Sequence, residues 1–359
     1  MIVRERVSAT SLAPLARFAR AARARGEGVV LAHLVAVDGS HYRRPGARMI
    51  FAGDGSTAGS ISGGCLEAGL AAKCAAVLTE GRPRLVAYDL RGSDDLVWGT
   101  GLGCAGRIEI LLSPLPDARL LERAAADGGG LVVATSLESG ELDLGEQALL
   151  CEGGIVEGSA RLADAVARGD RPPSRVLIET VEPAVRLLVG GAGPDVVSLA
   201  SAARALGWDV RLFAPRPTEK GRMRFDGFAF HAAAEIAAHA DARTAAVVAT
   251  HNYFDDLDLL RSLLPTPAPY LGLLGARGRA ARLMADCRDV LGVLASGGAS
   301  RVFGPAGLDL GADAPEEIAL SIVAEIQAVF RGRSGRPLRE GSSGIHDRQI
   351  TPVDNLQER

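Results

Sequence analysis

One segment constrains the fold of this chain more than any other: an apolar run that enters a glycine-rich turn, then a helical pattern and a second apolar run. The first run covers residues 185–189, the turn residues 190–195 and the second run residues 210–213. Between them, apolar side chains recur at helical spacing. This order is typical of the βαβ unit of a Rossmann fold. The sequence therefore predicts an α/β protein with a C-terminal, Rossmann-like domain built on a doubly wound parallel sheet.

The glycine turn of this unit departs from the dinucleotide-binding pattern. Gly191 and Gly193 supply the first two glycines of G-x-G-x-x-G, but the third position holds Val196. The second strand ends at Ala214, without the acidic residue that would bind a ribose diol. A lone G-x-G turn is weak evidence for any particular nucleotide, so binding of NAD(P) is not expected. Gly191 and Gly193 stay candidate cofactor contacts.

Two polar residues follow a later predicted strand, residues 245–250. They are His251 and Asn252. Parallel sheets of this kind bind ligands at the carboxyl ends of their strands. We therefore predict that His251 and Asn252 also contact a cofactor.

In the N-terminal part, a glycine hinge leads into a helical pattern at residues 59–67. Ser62 is a candidate N-cap, which predicts Cys65 in the first helical turn. Unpaired backbone N–H groups and the helix dipole there favour a thiolate. The same N–H groups, at Gly63 and Gly64, suit an anion. The pattern indicates a site that handles sulfur or a cofactor.

In the N-terminal part, a loop before the predicted strand that begins at residue 49 carries Arg43, Arg44 and Arg48 beside two glycines and a proline. Arginines on a glycine-supported loop can clamp a phosphate by bidentate donation. A solvated basic turn has the same composition. The residues alone leave both interpretations open.

A second glycine-flanked cysteine, Cys104, lies in residues 101–106, just before a predicted strand. Backbone can approach a ligand closely in such a loop, at Gly103 for example. The alternative is a small residue that fills a tight turn. The remaining cysteines, Cys74, Cys151 and Cys287, are assigned to packing.

Composition excludes several functional classes. The chain has 359 residues, enough for two domains, and a formal net charge of −3 without a long basic run. A nucleic-acid partner is therefore not expected. No apolar run reaches transmembrane length, and the first residues lack a secretory apolar core, so we expect a cytoplasmic protein without a membrane partner. Five cysteines without a CxxC pair argue against a disulfide framework and against a structural zinc site.

The order of the patterns predicts a division of the chain. Residues 1–118 form a small N-terminal α/β domain, and residues 119–182 a middle, linking region without chemistry of its own. Residues 183–331 form the Rossmann-like domain. The polar, glycine- and serine-rich residues 332–359 are predicted to be a disordered tail.

Taken together, the motifs resemble those of the XdhC/CoxI family, accessory proteins of molybdenum hydroxylases such as xanthine dehydrogenase. They follow one another from about residue 29 to residue 330, and their combination is specific although no single motif is. The motifs occupy residues 39–49, 59–67, 103–109, 191–195, 250–253, 270–275 and 304–312.

The resemblance implies a function as well as a fold. Family members are understood to bind molybdenum cofactor (molybdopterin or its cytosine dinucleotide), to protect it while its terminal sulfido ligand is installed, and to deliver it to an apo molybdenum hydroxylase. A cysteine desulfurase is the expected sulfur source, and the family is usually dimeric. The cofactor-associated cysteine of the family falls on Cys104, which the resemblance implies as a molybdenum contact. Cys65 matches the other motif cysteine.

Three departures from the family pattern stand out. Ala105 replaces a glycine beside Cys104, Ala214 occupies the place of a common aspartate, and His41-Tyr42 replaces a smaller pair in the arginine loop. The first adds a methyl group near the thiol. The second weakens dinucleotide binding further, and the third changes what the loop contacts.

Three functional hypotheses follow. The first is a molybdenum-cofactor chaperone, an accessory protein without catalytic residues, for which no Ser/His/Asp order and no HExxH motif is needed or seen. The second is an NAD(P)-dependent oxidoreductase, against which Val196 and Ala214 count. In the third, the Rossmann domain is a dimerisation platform or binds the nucleotide half of a dinucleotide cofactor.

Overall fold

The computed structural model describes residues 2–39, 41, 43–64, 66–89, 106–116, 118–126, 130–167, 175–214, 230–288 and 299–340. The chain divides into two compact units, Met1–Ala184 (unit 1) and Val185–Arg359 (unit 2). The predicted site residues Cys65, Gly103 and Cys104 lie outside the described residues. None of the described helices is long and apolar enough to span a membrane.

Unit 1 contains ten strands and four α-helices among its described residues. The strands are β1 (Ile2–Ser8), β2 (Val29–Gly39), β3 (Arg48–Ala52), β4 (Thr57–Gly59), β5 (Arg84–Asp89), β6 (Gly106–Pro114), β7 (Leu131–Ser136), β8 (Gln147–Cys151), β9 (Gly154–Gly158) and β10 (Val176–Glu182). The helices are α1 (Ala9–Ala24), α2 (Glu67–Glu80), α3 (Arg119–Ala126) and α4 (Ala160–Ala167).

These strands form two five-stranded sheets, ordered β4-β3-β2-β6-β5 and β1-β10-β7-β8-β9. The first sheet is antiparallel throughout. In the second, β1 pairs in parallel with β10, from Ile2 opposite Val176 to Ser8 opposite Glu182. The predicted middle region is therefore not a linker in the structure. It forms most of a sheet that the first strand of the chain completes by pairing with β10.

The core of unit 1 explains why β2 is apolar on both faces apart from the buried His33 and its last residues. Residues of α1 such as Leu12 and Leu15 pack with Leu31 of β2 and Leu149 of β8, so α1 contributes to the core of both sheets. On the opposite face of β2, Val30 packs with residues of α2. A strand covered on both faces has no solvent side and needs no polar alternation.

Unit 2 confirms the predicted doubly wound parallel sheet. Its strands are β11 (Arg186–Gly190), β12 (Asp209–Ala214), β13 (Phe230–Ala232), β14 (Thr244–Val248), β15 (Tyr270–Leu273) and β16 (Val302–Phe303), all parallel, in the order β13-β12-β11-β14-β15-β16. Its α-helices are α5 (Pro194–Ala205), α6 (Tyr253–Leu263), α7 (Arg277–Asp286) and α8 (Pro315–Phe330), and a 3₁₀ helix covers Ala233–His239.

Each face of this sheet has its own core. Leu187 and Val189 of β11 pack on the face covered by α5 and α8. Leu188, between them, packs on the face covered by α6 and α7. Successive side chains of a strand point to opposite faces, so a wholly apolar strand requires helices on both sides.

The segment after α8 is only partly described. Leu338–Glu340 forms a short 3₁₀ helix with no buried residue, which differs from the predicted disordered tail at that point. Residues 341–359 lie outside the described residues.

Candidate functional site

The turn from β4 to α2 contains the predicted anion cradle. Gly63 and Gly64 have φ angles of 79° and 119°, a backbone region that favours glycine. The helix itself begins at Glu67, with Leu66 as its N-cap. The prediction that Ser62 is the N-cap and that Cys65 lies in the first turn is therefore wrong about where the helix begins. The Ser62 hydroxyl still accepts a hydrogen bond from the Leu66 N–H, at 2.9 Å.

This cradle already holds an anion, the carboxylate of Glu67. The backbone N–H groups of Ser62, Gly64 and Leu66 each donate to it at 3.0 Å, and the Ser62 hydroxyl donates as well. Partial burial raises the pKa of Glu67, but hydrogen bonds from the side chain and backbone of Ser62 and from neighbouring amides outweigh it and lower the pKa to about 2. The N–H groups expected to bind a cofactor thus stabilise the chain's own turn.

Arg48 does not lie where a phosphate clamp would be. It is only 4% exposed, and its terminal nitrogens donate to both oxygens of Glu179, at 3.0 and 2.5 Å. Nη1 also donates to the Gly46 carbonyl at 2.9 Å. His33 Nε2 lies 3.3 Å from the same Glu179 carboxylate. This ion pair connects the two sheets of unit 1, and it corrects the expectation for Arg48.

The sequence missed Glu179, which lies in the region thought to have no chemistry. Burial raises its pKa, but the charge of Arg48, together with the contacts of His33 and the hydrogen bonds from Arg48, outweighs burial and lowers the pKa to about 2. Burial, with the Arg48 charge, lowers the pKa of His33, which favours its neutral imidazole. A buried pair of this kind tolerates the loss of either partner poorly.

Arg43 and Arg44 are half-buried on the loop between β2 and β3. The buried His41 ring accepts a hydrogen bond from the Arg43 backbone N–H at 3.2 Å, so this departure from the family pattern supports the loop from within. Tyr42 lies outside the described residues. Pro45, which follows Arg44 on this loop, lines a cavity.

That cavity, here called the β6 cavity, has a volume of about 530 Å³ and opens between β1, the end of β2 and the start of β6. Its size is within the range of small-molecule sites. The lining combines apolar and charged side chains: Val3, Glu5, Ala36, Val37, Asp38, Pro45, Arg107, Glu109 and Arg175.

Charges of both signs meet in the β6 cavity. Arg175 Nη1 lies 2.5 Å from Glu109 Oε2, and Arg107 Nη2 lies 3.5 Å from Glu109 Oε1. Buried Arg175 Nε has no hydrogen-bond partner among the described residues. A buried donor without a partner is costly and points to a ligand or water that would accept its hydrogen bond. The sequence offered one hint of this site, because Arg107 and Glu109 directly follow the Cys104 motif. Nothing in it pointed to Arg175.

In unit 2 the structure brings together three of the predicted residues. The carboxyl ends of β11 and β14 are adjacent, so Gly191 and Gly193 lie near His251. A Cβ on Gly193 would be 3.4 Å from His251 Nε2, which itself lies 3.4 Å from Asp195 Oδ2. His251 has a φ of 62°, unusual for a residue other than glycine.

The side chain of Asn252 makes a different contact from the one predicted. Its Oδ1 accepts from the backbone N–H groups of Phe254 and Asp255, at 3.0 and 3.2 Å. It is the N-cap of α6. This contact accounts for the asparagine without a ligand.

The cysteines assigned to packing do not behave alike. Cys74 and Cys287 are buried, but Cys151 is exposed, so that assignment is wrong for Cys151. Burial raises the pKa of Cys74 to about 12, which makes its thiol unreactive.

The chain is similar to known proteins in family signature, in sequence and in structure. The model of the XdhC and CoxI family matches residues 22–89, and that of the XdhC Rossmann domain matches residues 187–326. A Bacillus subtilis protein described as a probable component of xanthine dehydrogenase is 32% identical over 320 residues, which covers 84% of this chain and 92% of that protein.

Two further relatives are similar over most of their length. The molybdenum cofactor insertion chaperone PaoD of Escherichia coli is 28% identical over 318 residues, 87% of each chain. A crystal structure from Bacillus halodurans, described as a xanthine dehydrogenase, superposes with a TM-score of 0.73 at 28% identity, covering 94% of this chain and 98% of that one.

Proposed function

The chain belongs to the XdhC and CoxI family, and we propose that it holds the molybdenum cofactor in the β6 cavity and delivers it to an apo molybdenum hydroxylase. A role in molybdenum-cofactor maturation is supported by the family and by the insertion chaperone among its relatives. The observation that carries the proposed location is the β6 cavity itself, beside the strand that follows Cys104.

The lining of the β6 cavity matches the chemistry of a pterin phosphate. A pterin ring presents neighbouring N–H donors on its pyrimidine edge, which suit the carboxylates of Glu5, Asp38 and Glu109. Its phosphate suits the guanidinium groups of Arg107 and Arg175, and Arg175 Nε is a donor that needs an acceptor. The apolar part of the lining would pack against the ring.

Cys104 lies outside the described residues, but it is close in sequence to a strand that lines this cavity. β6 begins at Gly106, two peptide links after Cys104, so their Cα atoms are at most about 7.6 Å apart. Arg107 and Glu109 in the same strand line the cavity. A soft thiolate suits molybdenum or its sulfur ligand. We assign Cys104 the contact with the metal, next to Gly103.

The remaining predicted residues have supporting roles in this proposal. Arg43 and Arg44 lie on the loop that contributes Pro45 to the lining, and they add positive charge near the phosphate. Cys65 is the second thiol, beside the Gly63–Gly64 turn. Gly191, Gly193 and His251 form a separate surface of unit 2.

Two further steps and an oligomeric state belong to the proposal. A cysteine desulfurase installs the terminal sulfido ligand while the cofactor is held. The cofactor then passes to the hydroxylase as the simple pterin or its cytosine dinucleotide. The protein acts as a homodimer, which light scattering of the purified chain would test.

The experiment is anaerobic binding of the molybdenum cofactor to the full chain, measured by ultrafiltration with metal and pterin analysis. Cys104→Ala is compared with Cys151→Ala, an exposed cysteine of the same unit away from the β6 cavity. Arg175→Gln is compared with Arg161→Gln, an exposed arginine that pairs with Asp143 and Glu146. Arg107→Gln, at the exposed edge of the cavity, serves if Arg175→Gln does not fold.

We expect Cys104→Ala to lose molybdenum and the cavity arginine variants to bind about tenfold or more weakly, the value of one charge-assisted hydrogen bond. Both control variants should bind like the wild type. If both cavity arginines can be replaced without effect, the cofactor binds elsewhere. If the wild type retains no cofactor where a known chaperone does, the proposed function is wrong.

A further inference from the structure

Unit 2 contains a cluster of metal-ligating side chains that the proposed function does not use. One ligand atom from each of His231, Glu235 and His239 lies within 4.8 Å of the others. No other group of three or more such residues occurs in the part of the chain that the structure describes. His231 lies on the edge strand β13, and the other two lie on the 3₁₀ helix that follows it.

The fold holds the two imidazole rings against a common surface. His231 is opposite Phe213 in the parallel pairing of β13 and β12. The fully buried Phe213 ring lies 5.3 Å from the His231 ring and 5.4 Å from the His239 ring, centroid to centroid. The two imidazoles are 5.4 Å apart. An apolar floor under two imidazoles limits their rotation, and Glu235 is exposed at the open side.

The charges around the cluster do not exclude a cation. Arg211 Nη1 lies 2.8 Å from His239 Nδ1, but Nη2 of the same guanidinium donates to Asp209. Arg186 pairs with Asp209 and Asp241, and Arg243 also pairs with Asp241. With Glu235, three carboxylates therefore balance three guanidinium groups around the cluster.

Ligation at Nδ1 displaces Arg211 from His239, and ligation at Nε2 moves the ring proton to Nδ1, opposite Arg211. Either way the Arg211–His239 hydrogen bond breaks, while Arg211 keeps Asp209.

We propose that His231, Glu235 and His239 bind a divalent transition-metal ion, with zinc as the preferred ion. Two imidazole nitrogens and one carboxylate oxygen are a common donor set for zinc, with a fourth position left to water. This site goes beyond cofactor delivery and does not depend on it. It differs from the cysteine-based zinc sites that the sequence argues against, since it contains no thiolate.

The test is metal binding by the full chain after treatment with a chelator. Equilibrium dialysis with Zn²⁺ and metal analysis measures stoichiometry and affinity. Absorption during titration with Co²⁺ distinguishes nitrogen and oxygen ligands from thiolates, which add intense near-ultraviolet charge-transfer bands. The variants are His231→Ala, His239→Ala and Glu235→Gln. His251→Ala is the matched control, since this exposed histidine has a carboxylate neighbour, Asp195, but belongs to no described group of three ligands.

We expect the wild type to bind one equivalent of zinc at this site and to give a cobalt spectrum that lacks thiolate bands. Each histidine variant should lose both the zinc equivalent and that cobalt spectrum, and His251→Ala should keep both. Glu235→Gln changes an exposed side chain and should fold normally. It should weaken binding by at least about tenfold, since even outer partners of metal ligands contribute that much. Unchanged zinc stoichiometry and affinity in Glu235→Gln and in both histidine variants would overturn the proposal.

Discussion

Two glycine-rich turns in this protein lead into helices, both were predicted to contact a cofactor, and an acidic side chain of the chain itself lies at each. In the Glu67 turn (residues 59–67), the carboxylate accepts hydrogen bonds from several backbone N–H groups and from Ser62. In the Asp195 turn (residues 190–195), the carboxylate lies 3.4 Å from His251, whose side chain is 56% exposed. The first turn is internally satisfied, and the second faces solvent.

The difference shows that a glycine turn before a helix does not by itself define a ligand site. Helix N-termini attract anions, and a nearby acidic side chain of the same chain can be that anion. Where it is, the turn is structural. In unit 1 one of the unsatisfied buried donors, Arg175 Nε, instead lies in the β6 cavity, away from the turn that the sequence singled out.

The glycines of the two turns are needed for different reasons, and Gly191→Ala should have the largest effect. Its Cβ would be 2.2 Å from the Ala249 carbonyl oxygen, with φ at 152°. Backbone cannot yield there cheaply, so we expect unit 2 to lose about 3 kcal/mol or more of unfolding free energy. Fluorescence of the buried Trp208 during urea unfolding, in a Trp98→Phe background, reports this.

Gly64→Ala is the matched control for Gly191→Ala. A Cβ on Gly64 would contact nothing within 4 Å, and only its φ of 119° opposes the substitution. We expect a cost of about 1–2 kcal/mol in unit 1. If Gly191→Ala proved no more harmful than Gly64→Ala, the close approach at Ala249 would not be the reason for the glycine.

Glu67→Gln should have the next largest effect, about 1–3 kcal/mol, because the carboxylate accepts charge-assisted hydrogen bonds that an amide satisfies only in part. Hydrogen exchange of residues 67–80, followed by mass spectrometry, measures the loss locally. Glu80→Gln is the control on the same helix, since Glu80 makes only an exposed ion pair with Arg84.

The loss of unfolding free energy caused by Glu67→Gln depends on pH. The pKa of Glu67 is lowered from an ordinary 4.5 to about 2 in the folded protein. Its stabilising contribution is therefore fully present above about pH 4.5 and is lost as the pH falls towards 2. The difference between wild type and Glu67→Gln should shrink over that interval. A difference that stayed constant would mean that ionisation of Glu67 does not matter.

Asp195→Asn should have the smallest effect, at most about 0.5 kcal/mol. Its partner is exposed, and exposed ion pairs and helix-dipole contacts contribute little. Thermal unfolding of the variant and wild type side by side is sufficient to measure it. A loss as large as that for Glu67→Gln would remove the distinction between the two turns.

Much of the architecture follows from local sequence patterns. The apolar runs and glycine turn of unit 2 predict its parallel sheet, since a strand covered on both faces needs no polar residues. The pairing of β1 with β10 was not predictable in this way. It joins residues 2–8 to residues 176–182, and hydrophobic periodicity carries no information about a partner so far along the chain.

The features of the candidate site also divide into those that local sequence predicts and those that it does not. Short stretches of residues were enough to predict the family, the two cysteine motifs and the place of the glycine turns. They did not show that Arg48 pairs with Glu179, that Arg175 meets Glu109 beside β6, or that Glu67 accepts the N–H groups of its own turn. Arg48 and Arg175 each pair with a carboxylate that the fold brings within hydrogen-bonding distance from far along the chain, and Glu67 depends on how the backbone of the turn is folded around it.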